Sequence, residues 1–430
     1  MRTPAVATSI AVTALLLAAC GDDTDDTADT PSDATVTTTA PGPTSTSPSG
    51  VAVEGGELEI VDDELDADTS TALATAAMES FAAASTPGAV IGVRTPEGTW
   101  VSTIGSADIE GSAPITADIH QRIGSITKTF TVTALLQLAE AGELSLDDPI
   151  GDYIEGTPSP DATLRQLAQM QSGIPSYTLD DAFQEILFTQ PDTVWTPEEL
   201  VGLVADNDPD FAPGEELFYS NTNTVLLGQV IEQVTGQPIQ EVLQQQIIEP
   251  LGLTGTLFPT DSSIPDPHPR GYTTQGQDDA LPADATDWDP SWGFTAGAMI
   301  STLDDLLTYS EALATGDGLL GAELQAERID STVTDVPPNT PQRSYGIGIG
   351  SQQGWYGHSG ELPGFNTFMQ HHLDSGITVI VMTNSDIRSG ECPPDLGVLP
   401  DGRTTGPCKD PAIFIGDALT AAMGLPFAVS

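Results

Sequence analysis

The apolar residues of this chain change period as it proceeds, and the changes mark its elements. Over residues 71–84, Leu73, Ala76, Ala77 and Phe81 recur at the spacing of one helix face. Ala89-Val90-Ile91-Gly92-Val93 and Trp100-Val101-Ser102-Thr103-Ile104 flank the turn signal Pro96-Glu97-Gly98, which predicts a hairpin. A long helix is predicted after Gly124, running to about Ala141 and closed by Gly142. Further helices are predicted from Pro197, over 224–235 before Gly236, and from a Thr302 cap with Asp305 three residues on. Strands return over 345–349, 365–373 and 377–383, and a last helix covers 411–423. Between them, residues 145–295 are rich in Pro, Gly and short helical patterns. The prediction is an α/β fold of the α+β type: an antiparallel sheet built from both termini, flanked by helices, with a mostly helical insertion.

Charge and cysteines place that body. Asp and Glu number 63 against 11 Lys and Arg, a formal charge of −52, which repels nucleic acid and anionic headgroups and excludes a nucleic-acid role. Residues 21–68 hold little apolar content and neither Lys nor Arg, the composition of a disordered, self-repelling acidic Thr/Ser/Pro tether. Before it, Arg2 and the apolar run 5–19 have the order of a secretory signal spanning residues 1–20. Its end, Leu17-Ala18-Ala19-Cys20, resembles a bacterial lipobox. The expectation is an exported chain, lipid-anchored through Cys20 to the outer face of the bacterial cytoplasmic membrane. An ordinary cleaved signal with an incidental cysteine is the alternative. The folded domain then covers 69–430. Cys392 and Cys408 bracket a Pro- and Gly-rich loop and fit a disulfide in that compartment, with two free thiols as the alternative. No His, Cys and carboxylate set has metal-ligand spacing. His371 and His372 lie in a predicted strand, where neighbours face opposite sides.

Three short motifs carry candidate chemistry. Gly124-Ser125-Ile126-Thr127-Lys128 puts Ser125 and Lys128 one turn apart on one face of a helix start. The positive end of that helix favours an oxyanion formed at Ser125. A lysine packed there loses solvation and can take the serine proton. Lys409 is the chain's other lysine. The second motif, Tyr219-Ser220-Asn221, follows a turn at Pro213-Gly214 and precedes a helix. A phenol beside a charged lysine is expected to have its pKa lowered, so that it can shuttle the serine proton to a leaving group. Asn221 can donate to a substrate amide carbonyl. The third, His358-Ser359-Gly360, is the least specific, since a lone histidine more often makes a structural hydrogen bond. Its glycine lets an extended ligand lie against a strand edge.

In this order the motifs resemble the serine β-lactamase and penicillin-binding protein superfamily. The nearest branch is that of class C β-lactamases, secreted D-alanyl-D-alanine carboxypeptidases and related esterases. The resemblance extends over residues 70–425 and includes Gly142-Glu143-Leu144-Ser145-Leu146-Asp147-Asp148-Pro149, Gln171-Ser172-Gly173-Ile174 and Gly297-Ala298-Met299-Ile300-Ser301-Thr302. It implies that Ser125 is acylated, that Lys128 and Tyr219 handle its proton, and that Asn221 orients the substrate amide. It also implies that His358 and Ser359 meet a substrate carboxylate and that the N–H groups of Ser125 and Glu361 hold the oxyanion. Hydrolysis of the acyl-enzyme would complete the reaction without a cofactor. D-alanyl-D-alanine carboxypeptidase-like cleavage of cell-wall peptides is the leading implied activity. A class C-like β-lactamase or small-ester esterase is the alternative on the same scaffold, and a catalytically inactive binding lipoprotein the alternative of another class. The sequence departs from the family pattern twice. His rather than Lys opens the third motif, similar to the DD-carboxypeptidase and D-aminopeptidase members, and Glu361 stands where small hydroxyl residues are common. An acid facing the site would repel a substrate carboxylate.

Overall fold

A computed structural model describes residues 57–277, 281–332, 336–390, 392 and 408–428. Cys20, the signal segment and the tether as far as residue 56 lie outside the described residues. The body is one antiparallel sheet of eight strands: β1 (Leu58–Asp63), β2 (Gly88–Thr95), β3 (Gly98–Gly105), β4 (Arg343–Tyr345), β5 (Gly350–Gln352), β6 (Trp355–Leu362), β7 (Phe365–His372) and β8 (Ile377–Thr383). Their spatial order is β1-β3-β2-β8-β7-β6-β5-β4. β2 pairs β8 from Ala89↔Thr383 to Arg94↔Thr378, so both ends of the chain build the sheet, as expected.

Flanking helices include α1 (Ala67–Ala83), α2 (Thr127–Glu140), α3 (Asn221–Thr235), α4 (Leu303–Thr315) and α5 (Pro411–Ala422). The two-residue period of the central strands divides their side chains between two cores. Val90, Ile380 and Met382 pack with Phe130 of α2 and Leu303 and Leu307 of α4. Ile91, Val93, Val379 and Val381 pack with Leu73 and Phe81 of α1 and Ile415 and Leu419 of α5. That double coverage explains why these strands read as apolar runs instead of alternating. The insertion leaves and rejoins at one seam, where Gln121 pairs with Ser301 and Arg122 with Ile300. Ser125 therefore sits three residues beyond the junction of sheet and helical region.

Three local expectations are corrected. The tether does not extend to residue 68, because β1 pairs with β3 from Leu58↔Ile104 to Asp63↔Trp100. Helix α1 then starts early, as the Asp66 carboxylate caps it by accepting the N–H groups of Asp68 and Thr69 at 3.0 and 3.1 Å. The acids of this strand face solvent at the sheet edge, where they discourage further pairing. Residues 345–349 are not one strand. Gly348, at φ +62°, turns between β4 and β5, and a Cβ there would lie 2.4 Å from that of Val132. Thr302 makes no side-chain cap, and Asp305 accepts instead from Gly255 N–H and Thr256 Oγ1, both at 2.8 Å.

Cys392 and Cys408 are joined in a disulfide. His371 and His372 take separate partners, Thr378 Oγ1 and Ser375 Oγ. Among the described residues no helix is long and apolar enough to cross a membrane.

Candidate active site

Two glycines let the nucleophile turn press against the sheet. Gly124 has φ +53°, and a Cβ on it would lie 2.4 Å from the Glu361 backbone nitrogen. A Cβ on Gly360 would lie 1.8 Å from the Ile123 carbonyl oxygen. Strand β5 covers β6 only along Trp355, Tyr356 and Gly357, so from His358 onward the outer edge of β6 faces this turn. Leu362 and Phe365 flank the two-residue turn of the β6–β7 hairpin, and Glu361 opposes Asn366 one position further from it. In such a hairpin that pair is not hydrogen-bonded, so the Glu361 N–H points away from β7, toward Gly124 and Ser125. The Ser125 N–H precedes the first bond of its turn, which Ile126 makes to Ile123 at 3.3 Å. Two backbone donors thus converge beside Ser125 Oγ.

Lys128 is fully buried one turn past Ser125. Its amine lies 2.9 Å from Ser125 Oγ and 2.6 Å from the Ala296 carbonyl. Burial alone drives its pKa well below that of a free lysine, which favours the neutral amine next to the serine hydroxyl. In that form it donates to Ala296 while its lone pair can accept the Ser125 proton. The ring of Tyr219 lies 4.9 Å from the amine.

Tyr219 corrects an expectation. Its hydroxyl is buried and makes no hydrogen bond among the described residues, and its pKa is raised well above that of a free phenol. Burial is the main cause, neighbouring Tyr345 adds to it, and Ser125 opposes it. A lysine that burial has neutralised supplies no charge to lower the phenol. Tyr219 is therefore a retained proton, not a phenolate. Asn221 opens α3 and lines the same cavity, with its Nδ2 donating to Thr178 Oγ1 at 3.0 Å.

His358 opens the third motif. It lines the cavity but is 4% exposed, and both ring nitrogens are engaged. The Ser359 carbonyl can only accept, so Nδ1, 2.5 Å away, carries the proton, and Nε2 receives the Tyr345 hydroxyl at 3.3 Å. Burial is the main cause that pushes the imidazole pKa down to about 3, and any charge on Lys128 would push it the same way. His358 is neutral and brings no positive charge to the substrate carboxylate that the family resemblance has it meet. Ser359 lines the cavity beside it.

Spacing in the sequence does not reveal the rest of the wall. Tyr177, Phe183 and Trp292 form an aromatic side, with Phe183 5.2 Å from Tyr177 and 5.9 Å from Trp292 between ring centres. On another side Glu361 faces the cavity with Gln275 and Asp410. Arg388 Nη2 reaches Glu361 Oε2 at 3.0 Å while its Nε holds Asp410 Oδ1 at 2.7 Å. Gln275 Nε2 donates to Glu361 Oε1 at 2.9 Å and to Asp386 Oδ2 at 2.5 Å. These partners come from four separate segments, joined partly by the Cys392–Cys408 disulfide.

An acylatable serine beside a neutral lysine, a protonated tyrosine and two backbone donors defines a serine hydrolase. The chain belongs to the beta-lactamase family, whose profile matches residues 72–394. It is 28% identical over 288 residues to a D-aminopeptidase of Brucella anthropi, covering 65% of this chain and 52% of that protein. To Protein flp of Staphylococcus aureus it is 24% identical over 286 residues, covering 65% and 56%. The chain thus spans little more than half the length of these curated relatives. A D-stereospecific amidohydrolase from Streptomyces sp. superposes with TM-score 0.66 at 35% identity, covering 76% of this chain and 95% of that one. D-amino acid amidase from Ochrobactrum anthropi SV3, complexed with L-phenylalanine amide, superposes with TM-score 0.70 at 25% identity, covering 83% and 99%.

Proposed function

We propose that this hydrolase cleaves the amide bond of small apolar D-amino-acid amides, and of peptides beginning with such residues, through an acyl-enzyme on Ser125. The observation that carries the reading is the lack of an unpaired cation in the cavity wall among the described residues. Glu361 and Asp410 line it, His358 is neutral, and Arg388 is already held between the two carboxylates. D-alanyl-D-alanine peptides and lactams bring a carboxylate, for which this wall supplies no unpaired cation among the described residues. A carboxypeptidase-like or lactamase activity therefore fits less well. The aromatic side suits an apolar side chain, and the D configuration is carried over from similarity to the amidohydrolase and the amidase.

In this reading neutral Lys128 takes the Ser125 proton as Oγ attacks the amide carbon. The N–H groups of Ser125 and Glu361 receive the oxyanion. Tyr219 gives its proton to the departing nitrogen and regains one from the lysine, which leaves an ester on Ser125. Water then attacks that ester, with Lys128 accepting its proton and Ser125 recovering it as the acid leaves. The test compares hydrolysis of D- and L-phenylalanine amide by wild type and Ser125→Ala. Release of ammonia from the D form, abolished by the substitution, is expected. Turnover of D-alanyl-D-alanine peptides in preference to either amide would overturn the reading.

We also infer export and lipid anchoring through Cys20, supported by the apolar run and the lipobox-like Leu17-Ala18-Ala19-Cys20. Incorporation of labelled palmitate, lost in Cys20→Ala, is the expected result, and an unlabelled mature chain would refute it.

A further inference from the structure

We propose that Glu361 reads a free α-ammonium group on the substrate, so that the enzyme acts on unblocked amino termini and rejects N-acylated ones. The inference rests on the amide-hydrolase reading above. The backbone N–H of Glu361 faces the nucleophile turn, and a Cβ on Gly124 would lie 2.4 Å from its nitrogen. The α-nitrogen of an amino-acid amide is two bonds from the carbonyl carbon, so a substrate whose oxyanion meets that N–H places its amine near the same residue. Glu361 lines the cavity and its side chain is 29% exposed, whereas those of Arg388 and Asp410 are 8% and 5% exposed. Glu361 is thus the open member of a group whose other members stand behind it.

Charge supplies the second step. Glu361, Asp386 and Asp410 surround the one guanidinium of Arg388, whose Nη2 and Nε serve Glu361 and Asp410. Fully ionised, the group would carry two negative charges more than Arg388 neutralises, and burial accordingly raises Glu361 to about 8 and Asp386 to about 7, so that protons stand where a cation is lacking. Asp386 Oδ1 is an independent sign of the same shortfall: it is buried and makes no hydrogen bond among the described residues. Burial of unbalanced carboxylates is unfavourable, and an ammonium against Glu361 relieves it, whereas a carboxylate or a neutral acylamide does not. A purely structural cluster would explain the pairing of Arg388 but not why its most exposed carboxylate points into the cavity of Ser125.

The test uses the full-length protein with D-phenylalanine p-nitroanilide and its N-acetyl derivative. Wild type is expected to prefer the free amine by at least 100-fold in kcat/KM. Glu361→Gln is expected to reduce that preference at least tenfold, chiefly through KM for the free amine. Equal cleavage of the two substrates by wild type overturns the inference and leaves the amide reading standing, and this comparison decides even if the variant fails to fold. An undiminished preference in folded Glu361→Gln also overturns it. Failure to cleave either substrate, while a fluorophosphonate still labels Ser125, overturns the amide reading and this inference with it.

Discussion

The ring of Tyr219 lies 4.9 Å from the amine of Lys128, and burial drives the proton affinities of the two groups in opposite directions. The lysine loses its proton because a buried ammonium is poorly solvated, and the tyrosine keeps its own because a buried phenolate is. A base and an acid therefore stand beside Ser125 Oγ before substrate arrives, with no carboxylate needed to polarise them. The order of the three motifs is compatible with this division of roles, but burial makes it.

Replacing Lys128 by Met keeps the volume and removes the base. Acylation of Ser125 by a fluorophosphonate is expected to slow by about 10² to 10⁴, the range typical of a positioned general base. The stability comparison carries a sign. The folded pKa of Lys128 is depressed, so the folded state gives up this proton at a lower pH than the unfolded chain does. Wild-type stability should rise relative to Lys128→Met as pH increases from 7 to 9. A flat difference in Tm between the two proteins across that range would mean the buried lysine stays charged.

Tyr219→Phe separates catalysis from packing. The hydroxyl is buried, and among the described residues only Ser125 stands near enough to engage it, so deleting it leaves Tm nearly unchanged. Turnover should nonetheless fall by about 10² to 10⁴ through loss of the proton given to the leaving group. A fall in Tm of several degrees with turnover preserved would assign the hydroxyl to structure instead.

Much of this is legible in the chain. The helical spacing of Leu73 and Phe81, the hairpin around Pro96-Glu97-Gly98 and the Ser125–Lys128 interval are local, and local rules find them. Strand β6 is less so. It holds Gly357, Ser359, Gly360 and Glu361, poor strand formers that pairing with β7 holds in place and that contact with the nucleophile turn requires. The protonation state of Tyr219 escapes a local reading because it depends on burial by Tyr345 and others far along the chain. The meeting of Gln275, Glu361, Arg388 and Asp410 is a product of tertiary folding, and no spacing announces it.

Asp386 should make the protein less stable as pH rises. Burial pushes its pKa up to about 7, against the opposing hydrogen bonds of Thr273 and Gln275 and the charge of Arg388, with Glu361 and Asp410 nearby. The folded state therefore holds a proton that the unfolded chain has released above about pH 4. This contribution is complete below that pH and is lost as pH climbs through 7, on the order of 1.4 kcal/mol for each tenfold difference in proton affinity between the two states. Asp386→Asn should flatten the decline in Tm between pH 5 and 8. The opposite trend of Lys128 is common to both proteins and cancels in the comparison. An identical slope in the two would show that Asp386 is ionised throughout.

Gly360→Ala tests whether the approach of β6 to the nucleophile turn is obligatory. The added methyl would fall 1.8 Å from the Ile123 carbonyl oxygen, a backbone atom that no rotamer change can move aside. Either β6 or the turn must shift, and the Glu361 N–H is then displaced from the position of the oxyanion. Loss of one such donor is worth about 10² to 10³ in kcat, and overpacking adds roughly 1–3 kcal/mol of destabilisation. Gly202→Ala is the matched control, because its Cβ would meet nothing within 4 Å at the end of a short helix. The control should keep full activity and lose no stability, since alanine is the better helix former. Full activity in Gly360→Ala would show that the oxyanion is held without the N–H of Glu361, and would remove the positional basis for placing a substrate amine beside that residue.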